Sequence, residues 1–70
     1  MRPIVVTILY KKGRKAWCNA FGAEKDLTRL GEILGEPVKP AEGVKPCHLD
    51  LNERKRERAL QLGAWSEEDL

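Results

Sequence analysis

The strongest apolar run in the chain is Ile4-Val5-Val6-Thr7-Ile8-Leu9-Tyr10. Its β-branched and large residues occupy both alternation classes. Ile4, Val6, Ile8 and Tyr10 fall on one side, and Val5, Thr7 and Leu9 on the other. That pattern predicts a central strand with little exposed surface. Pro3 stands at its head, where proline is tolerated. Lys11-Lys12-Gly13-Arg14 then predicts a tight turn, with Gly13 supplying a positive φ. Lys15–Phe21 reads as the return strand. Its alternation places Ala16, Cys18 and Ala20 on one face, small enough for a helix to pack closely, and Lys15, Trp17, Asn19 and Phe21 on the other.

After Gly22 the period changes from two to 3.6. Ala23, Leu27, Leu30 and Leu34 form one stripe, so a helix is predicted over 23–34. Glu24 and Asp26 favour its positive N-terminal end, Gly35 fits a left-handed C-terminal position, and Pro37 stops continuation. Residues 36–46 hold Pro37, Pro40, Pro46 and Gly43 without periodicity. They predict an extended, partly polyproline-like loop, with Val38 and Val44 pinned to the core. Leu49 and Leu51 alternate with His48 and Asp50, which predicts a third strand over 47–51. Asn52, or Asp50 with Glu53, offers a cap for a helix over about 53–62. Its first half is all charged, so this helix is expected to project into solvent. The expected fold class is α+β: a small antiparallel sheet begun by the 4–21 hairpin, one packed helix (23–34) and a charged C-terminal helix. Residues 1–62 form the domain, and 63–70 follow as an acidic tail, with Ser66 resembling a helix start.

Size and charge narrow the function. A 70-residue chain is one domain at most. It buries only about 60% of its unfolded surface, and a ligand cavity of several hundred Å³ is hard to build in it. A self-contained enzyme is therefore not expected. The net charge of +2 conceals a strong segregation. Residues 1–20 carry Arg2, Lys11, Lys12, Arg14 and Lys15 with no acid, while the two later stretches, 21–50 and 51–70, are each net acidic. Such a molecule can offer a basic face and an acidic end to different partners. No stretch approaches the roughly 20 apolar residues of a membrane span, and the N-terminus lacks a signal-peptide plan. The expected location is the cytoplasm, with both cysteines reduced.

The chemical candidates are few. Cys18, Cys47 and His48 are potential zinc ligands, but structural zinc wants four, usually in spaced pairs. A Cys47 nucleophile would need a base placed in space, and only one histidine exists. Glu67 and Glu68 read as solvated carboxylates, and no phosphate-loop glycine pattern occurs. No catalytic residue, metal or cofactor is expected. The basic hairpin is the better candidate. Lys11, Lys12, Arg14 and Lys15, with Tyr10 and Trp17 alongside, can grip an acidic protein patch or phosphates while rings stack on bases. The bland alternative is a solvated turn whose lysines deter edge-to-edge aggregation. Arg54, Arg56 and Arg58 form a second candidate contact, diluted by Glu53 and Glu57; the plainer reading is a solubilising helix. Trp65 either folds back to complete the core, which is favoured, or anchors a partner.

A compact, charge-segregated chain with one hairpin (Ile4–Tyr10, Lys11–Lys15) and a charged helix (Arg54–Arg58) resembles the small proteins that bacteriophages encode to redirect host machinery. These include proteins that bind bacterial RNA polymerase and block initiation or suppress termination. The resemblance implies a non-enzymatic regulator acting on a large assembly by protein–protein contact; the chain itself is expected to be a monomer. It carries over no functional residue. The partner-binding residues expected from the sequence are Lys11, Lys12, Arg14, Lys15, Trp17, Arg54, Arg56 and Arg58. The alternative is a nucleic-acid-binding module using hairpin 10–17.

Overall fold

The strand expected over Ile4–Tyr10 is broken in two by a β-bulge. In the computed structural model, which describes residues 3–70, β1 (Val5–Val6) and β2 (Tyr10–Lys12) both pair antiparallel with β3 (Lys15–Phe21). Arg2, one of the five N-terminal cations, lies outside the described residues. The registers Val6↔Ala20 and Tyr10↔Trp17 leave three residues, 7–9, opposite two, 18–19. That extra residue defines the bulge. Thr7 holds it: its N–H donates to the Asn19 carbonyl (2.8 Å), but its hydroxyl, not its carbonyl, accepts from the Asn19 N–H (2.9 Å). The carbonyl is thereby freed for a partner outside the sheet.

The bulge inverts the alternation. Ile4 and Val6 are buried, yet beyond it Leu9 packs on the core while Ile8 and Tyr10 are exposed. The expectation that Ile4, Val6, Ile8 and Tyr10 share one face is corrected accordingly. The tight turn does form at Gly13, with φ +67°.

Helix α1 (Glu24–Leu34) buries Leu27 and Leu30 and ends on Gly35 at φ +74°. The third strand, β4 (Leu49–Asn52), pairs antiparallel with β3 and buries Leu49 and Leu51. In the loop before it, Lys39 bridges to His48 and Val38 packs on the core, whereas Val44 is fully exposed rather than pinned. Helix α2 (Glu53–Gln61) starts where Asn52 accepts from the Lys55 N–H (2.8 Å). Both helices pack on one face of the sheet, around Ile4, Val6, Cys18, Ala20, Leu27, Leu30, Leu49, Leu51 and Ala59. Lys55 pairs with Glu36, joining α2 to the segment after α1.

Two expectations fail here for one reason. Helix α2 is not a solvent-projecting rod, and residues beyond 62 are not free of the sheet. Arg56 turns inward and is 9% exposed. Its Nε donates to the Thr7 carbonyl released by the bulge (2.9 Å), and its Nη2 donates to Ser66 Oγ (3.0 Å) and Glu68 Oε1 (3.3 Å). A buried guanidinium is tolerable only when its donors are satisfied. The residues that satisfy them bring in β5 (Trp65–Ser66), which pairs parallel to β1. Ser66 then caps a 3-10 turn over Glu67–Asp69. The fold is α+β, as expected, but its sheet is mixed rather than purely antiparallel.

Candidate binding surface

Register decides which side chains the uncovered face carries. Residues directly opposite in a sheet point the same way, and successive ones alternate. Cys18↔Leu51, Ala20↔Leu49 and Val6↔Ala20 face the helices. The opposite face therefore carries Trp17 with its partners Tyr10 and Asn52, Asn19 with Asp50, and Phe21 with Val5. His48, next along from Leu49, adds a buried imidazole, while Trp65, paired with Val5 on the edge strand, lines a groove on the helical side. The chain has two tryptophans, one tyrosine and one phenylalanine, and none of them belongs to the buried core. Three of them, Tyr10, Trp17 and Phe21, fall on this face.

The rings are accessible to different degrees. Tyr10 and Trp65 are exposed, and Trp17 and Phe21 are half-buried. Phe21 and His48 meet with centroids 6.0 Å apart at 43°. His48 is fixed on both sides: Nδ1 lies 3.1 Å from the Pro46 carbonyl and Nε2 lies 3.4 Å from Asp50 Oδ1. A carbonyl can only accept, so Nδ1 carries a proton. Asn19, between Trp17 and Phe21 on the strand, has a buried side-chain oxygen without a hydrogen-bond partner.

The cations sit at one end of this face. Lys12 and Lys15 are opposite each other in the register and share the phase of Trp17, while Lys11 pairs with Ala16 on the other phase. Lys11, Lys12, Arg14 and Lys15 are all exposed. Among the described residues, no carboxylate forms an ion pair with any of them.

The remaining candidates do not join them. Arg54 and Arg58 are exposed on the helical layer, and Arg56 is buried and spent on the fold. Trp65, favoured for the core, is 53% exposed although its backbone is paired. Cys18 faces the helices and His48 faces away, so the cysteine–histidine trio does not converge. Among the described residues, no group of three or more Cys, His, Asp and Glu is placed to hold a metal ion. Burial pushes the Cys18 thiol up to about 11, against the opposing pull of the Arg56 charge and with a further push from Asp50. It is therefore a poor nucleophile at neutral pH.

A second surface lies on the helical side. Leu30, Ile33, Ala59, Leu62 and Trp65 line an apolar groove of about 480 Å³, with Asp26 and Arg29 beside them. Sequence reasoning found the basic tip with Tyr10 and Trp17 and put Asn19 and Phe21 on the face of Trp17, but it did not name those two as binding residues and it missed His48. The usable signal was the odd-numbered class of β3, whose large residues oppose the small Ala16, Cys18 and Ala20.

No protein family, curated protein or solved structure matches this chain in comparisons of each kind. No described helix is long and apolar enough to cross a membrane.

Proposed function

We propose that this protein is a non-enzymatic regulator that binds a large assembly, with bacterial RNA polymerase the foremost candidate, and alters transcription by contact. It acts as a cytoplasmic monomer. One observation carries the reading: four cations, Lys11, Lys12, Arg14 and Lys15, are exposed at a hairpin turn, with no carboxylate paired to any of them among the described residues. Unscreened cations of this kind complement acidic protein surface and speed association. The groove around Ile33 and Leu62 supplies apolar area for a second contact. The test is co-migration with purified bacterial RNA polymerase, followed by promoter-dependent transcription with and without the protein. Binding and altered transcript yield are expected, both lost when the four cations become alanine. Absence of a complex at about 10 μM of each component, where a regulator of ordinary affinity is bound, overturns the reading.

A second reading has its own support. The cross-strand pair Tyr10↔Trp17 lies directly beside Lys12↔Lys15, so rings and charges adjoin. That favours nucleic-acid contact by hairpin 10–17.

A further inference from the structure

We infer that the whole uncovered sheet face, and not only the hairpin tip, is a stacking platform for single-stranded nucleic acid. The inference deepens the nucleic-acid reading of the hairpin and is independent of the polymerase reading.

The first support is the placement of the rings. Aromatic side chains carry the largest burial payload available to a small domain. Here Tyr10, Trp17 and Phe21 all occupy the face that the helices leave open. Trp17 and Phe21 are four residues apart on β3, hence about 13 Å apart at the usual strand rise. That spacing separates two ring sites along the strand and leaves room for two or three splayed bases.

Charge identifies the occupant. Lys12 and Lys15 project on the same face as the Tyr10–Trp17 pair, and Lys11 and Arg14 flank them. A strand whose bases lie on the rings would thus run its phosphates past a cationic end. Two carboxylates approach the surface. Asp50 on the face lies 3.4 Å from His48 Nε2, and Glu67 accepts from the Ile8 N–H at 3.2 Å. Neither pairs with the lysines.

Asn19 supplies the polar element. A buried acceptor without a donor is costly and uncommon in a finished interior. Asn19 has one, on the stretch of face between Trp17 and Phe21. Turned outward, its amide offers a base edge both a donor and an acceptor. Duplex regions hide their base faces, so the platform should select unpaired strands.

The test uses the full chain and fluorescein-labelled single strands of about ten nucleotides, oligo-U and oligo-dT in separate arms, with a self-complementary duplex as the third probe. Anisotropy reports binding, and intrinsic tryptophan emission reports stacking. Saturable binding of a single strand with quenched emission is expected, weaker for the duplex. A tighter oligo-U arm would point to RNA, and a tighter or equal oligo-dT arm to a site indifferent to the 2′-hydroxyl; either supports the platform. Trp17→Ala and Tyr10→Ala should each weaken binding roughly 5- to 150-fold, and Trp17→Phe should retain most of it. Lys12→Ala should lower the salt slope by about 0.7. Thr28→Ala, exposed on α1 outside the groove, should change nothing. Circular dichroism confirms that each variant folds, and the exposed Tyr10 keeps the test alive if Trp17→Ala does not. If duplex and single strand bind alike and the ring variants are silent, the platform fails while the charged-hairpin reading survives. If no probe binds at low salt, both fail.

Discussion

Strand β3 has two faces built on opposite rules. Toward the helices it presents Ala16, Cys18 and Ala20; away from them it presents Lys15, Trp17, Asn19 and Phe21. The small residues bring α2 close, so that Ala59 is fully buried against the sheet. The large ones face a surface that no helix covers. Core stability therefore rests on aliphatic side chains, Leu27, Leu49, Leu51 and Val6 foremost, all of them fully buried. The residues with most to gain from burial have been left outside. That division is what the binding face proposed above requires. The two faces should accordingly respond differently to mutation.

The largest difference is expected between Leu49→Ala and Phe21→Ala. Leu49 is fully buried, and truncation there should cost about 2–5 kcal/mol. A domain of this length has roughly 4–10 kcal/mol in total, so the variant should be largely unfolded or nearly so. Phe21 is half-buried on the open face, and its loss should cost about 1 kcal/mol. Urea denaturation reads both. Equal costs would show that Phe21 belongs to the core and would break the comparison.

Next is Arg56→Met, which tests what holds the C-terminal strand. The change removes donors to the Thr7 carbonyl, Ser66 Oγ and Glu68. A loss of about 2–4 kcal/mol is expected, because the Thr7 and Ser66 acceptors are left unpaired. Hydrogen exchange should localise it: the Trp65 N–H, which donates to the Ile4 carbonyl at 2.8 Å, should lose protection before the β3–β4 amides do. Arg56→Lys should not restore it, since an ammonium lacks the forked geometry. Glu68→Gln should be nearly silent, because that carboxylate is largely exposed.

These contrasts also explain what could be read in advance. The turn at Gly13, the alternation of β3, the stripe and C-terminal glycine of α1 and the Asn52 cap are local signals, and each appears where expected. The bulge was hidden because Ile4–Tyr10 is apolar in both alternation classes, so the pattern carries no phase to reveal a slip. The burial of Arg56 was hidden because its acceptors lie 49 and 10 residues away. Strand β5 is two residues long and pairs with the far end of the chain, where no periodicity can announce it. For the binding surface, the cationic tip is legible as a cluster in sequence. The full face is not, because Tyr10, Phe21 and His48 come onto one surface only once the registers of β1, β2 and β4 are known.

Cys18 gives a third contrast, readable by pH. Its thiol is pushed from 9.0 up to about 11, first of all by burial. A folded-state value above the unfolded one means that the unfolded chain loses its proton first. Stability from this group is thus fully present below about 9 and falls as pH rises toward 11, by at most about 1.4 kcal/mol per pH unit. Urea titrations at pH 8, 9 and 10 on wild type and Cys18→Ala should show that limb in the wild type alone. The variant will be less stable throughout, so the slope decides. A limb of equal steepness in both would assign the alkaline loss to other groups.

The smallest effect expected is also the one with the clearest sign. Lys11, Lys12, Arg14 and Lys15 stand within five residues of one another, with no ionic partner among the described residues. Like charges at that spacing repel, and the repulsion is screened by salt over about 10 Å at 0.1 M. Replacing all four by alanine should therefore leave stability unchanged or raise it by a few tenths of a kcal/mol at low salt, with the gain fading as salt is added. Ordinary solvated-turn lysines would also pass this test, but those of a binding tip must in addition lose partner affinity when replaced. A destabilisation above about 1 kcal/mol would be large for a surface change. It would mean that the tip is held by contacts of its own, and that the division between a face that folds the protein and a face that binds does not extend to the hairpin.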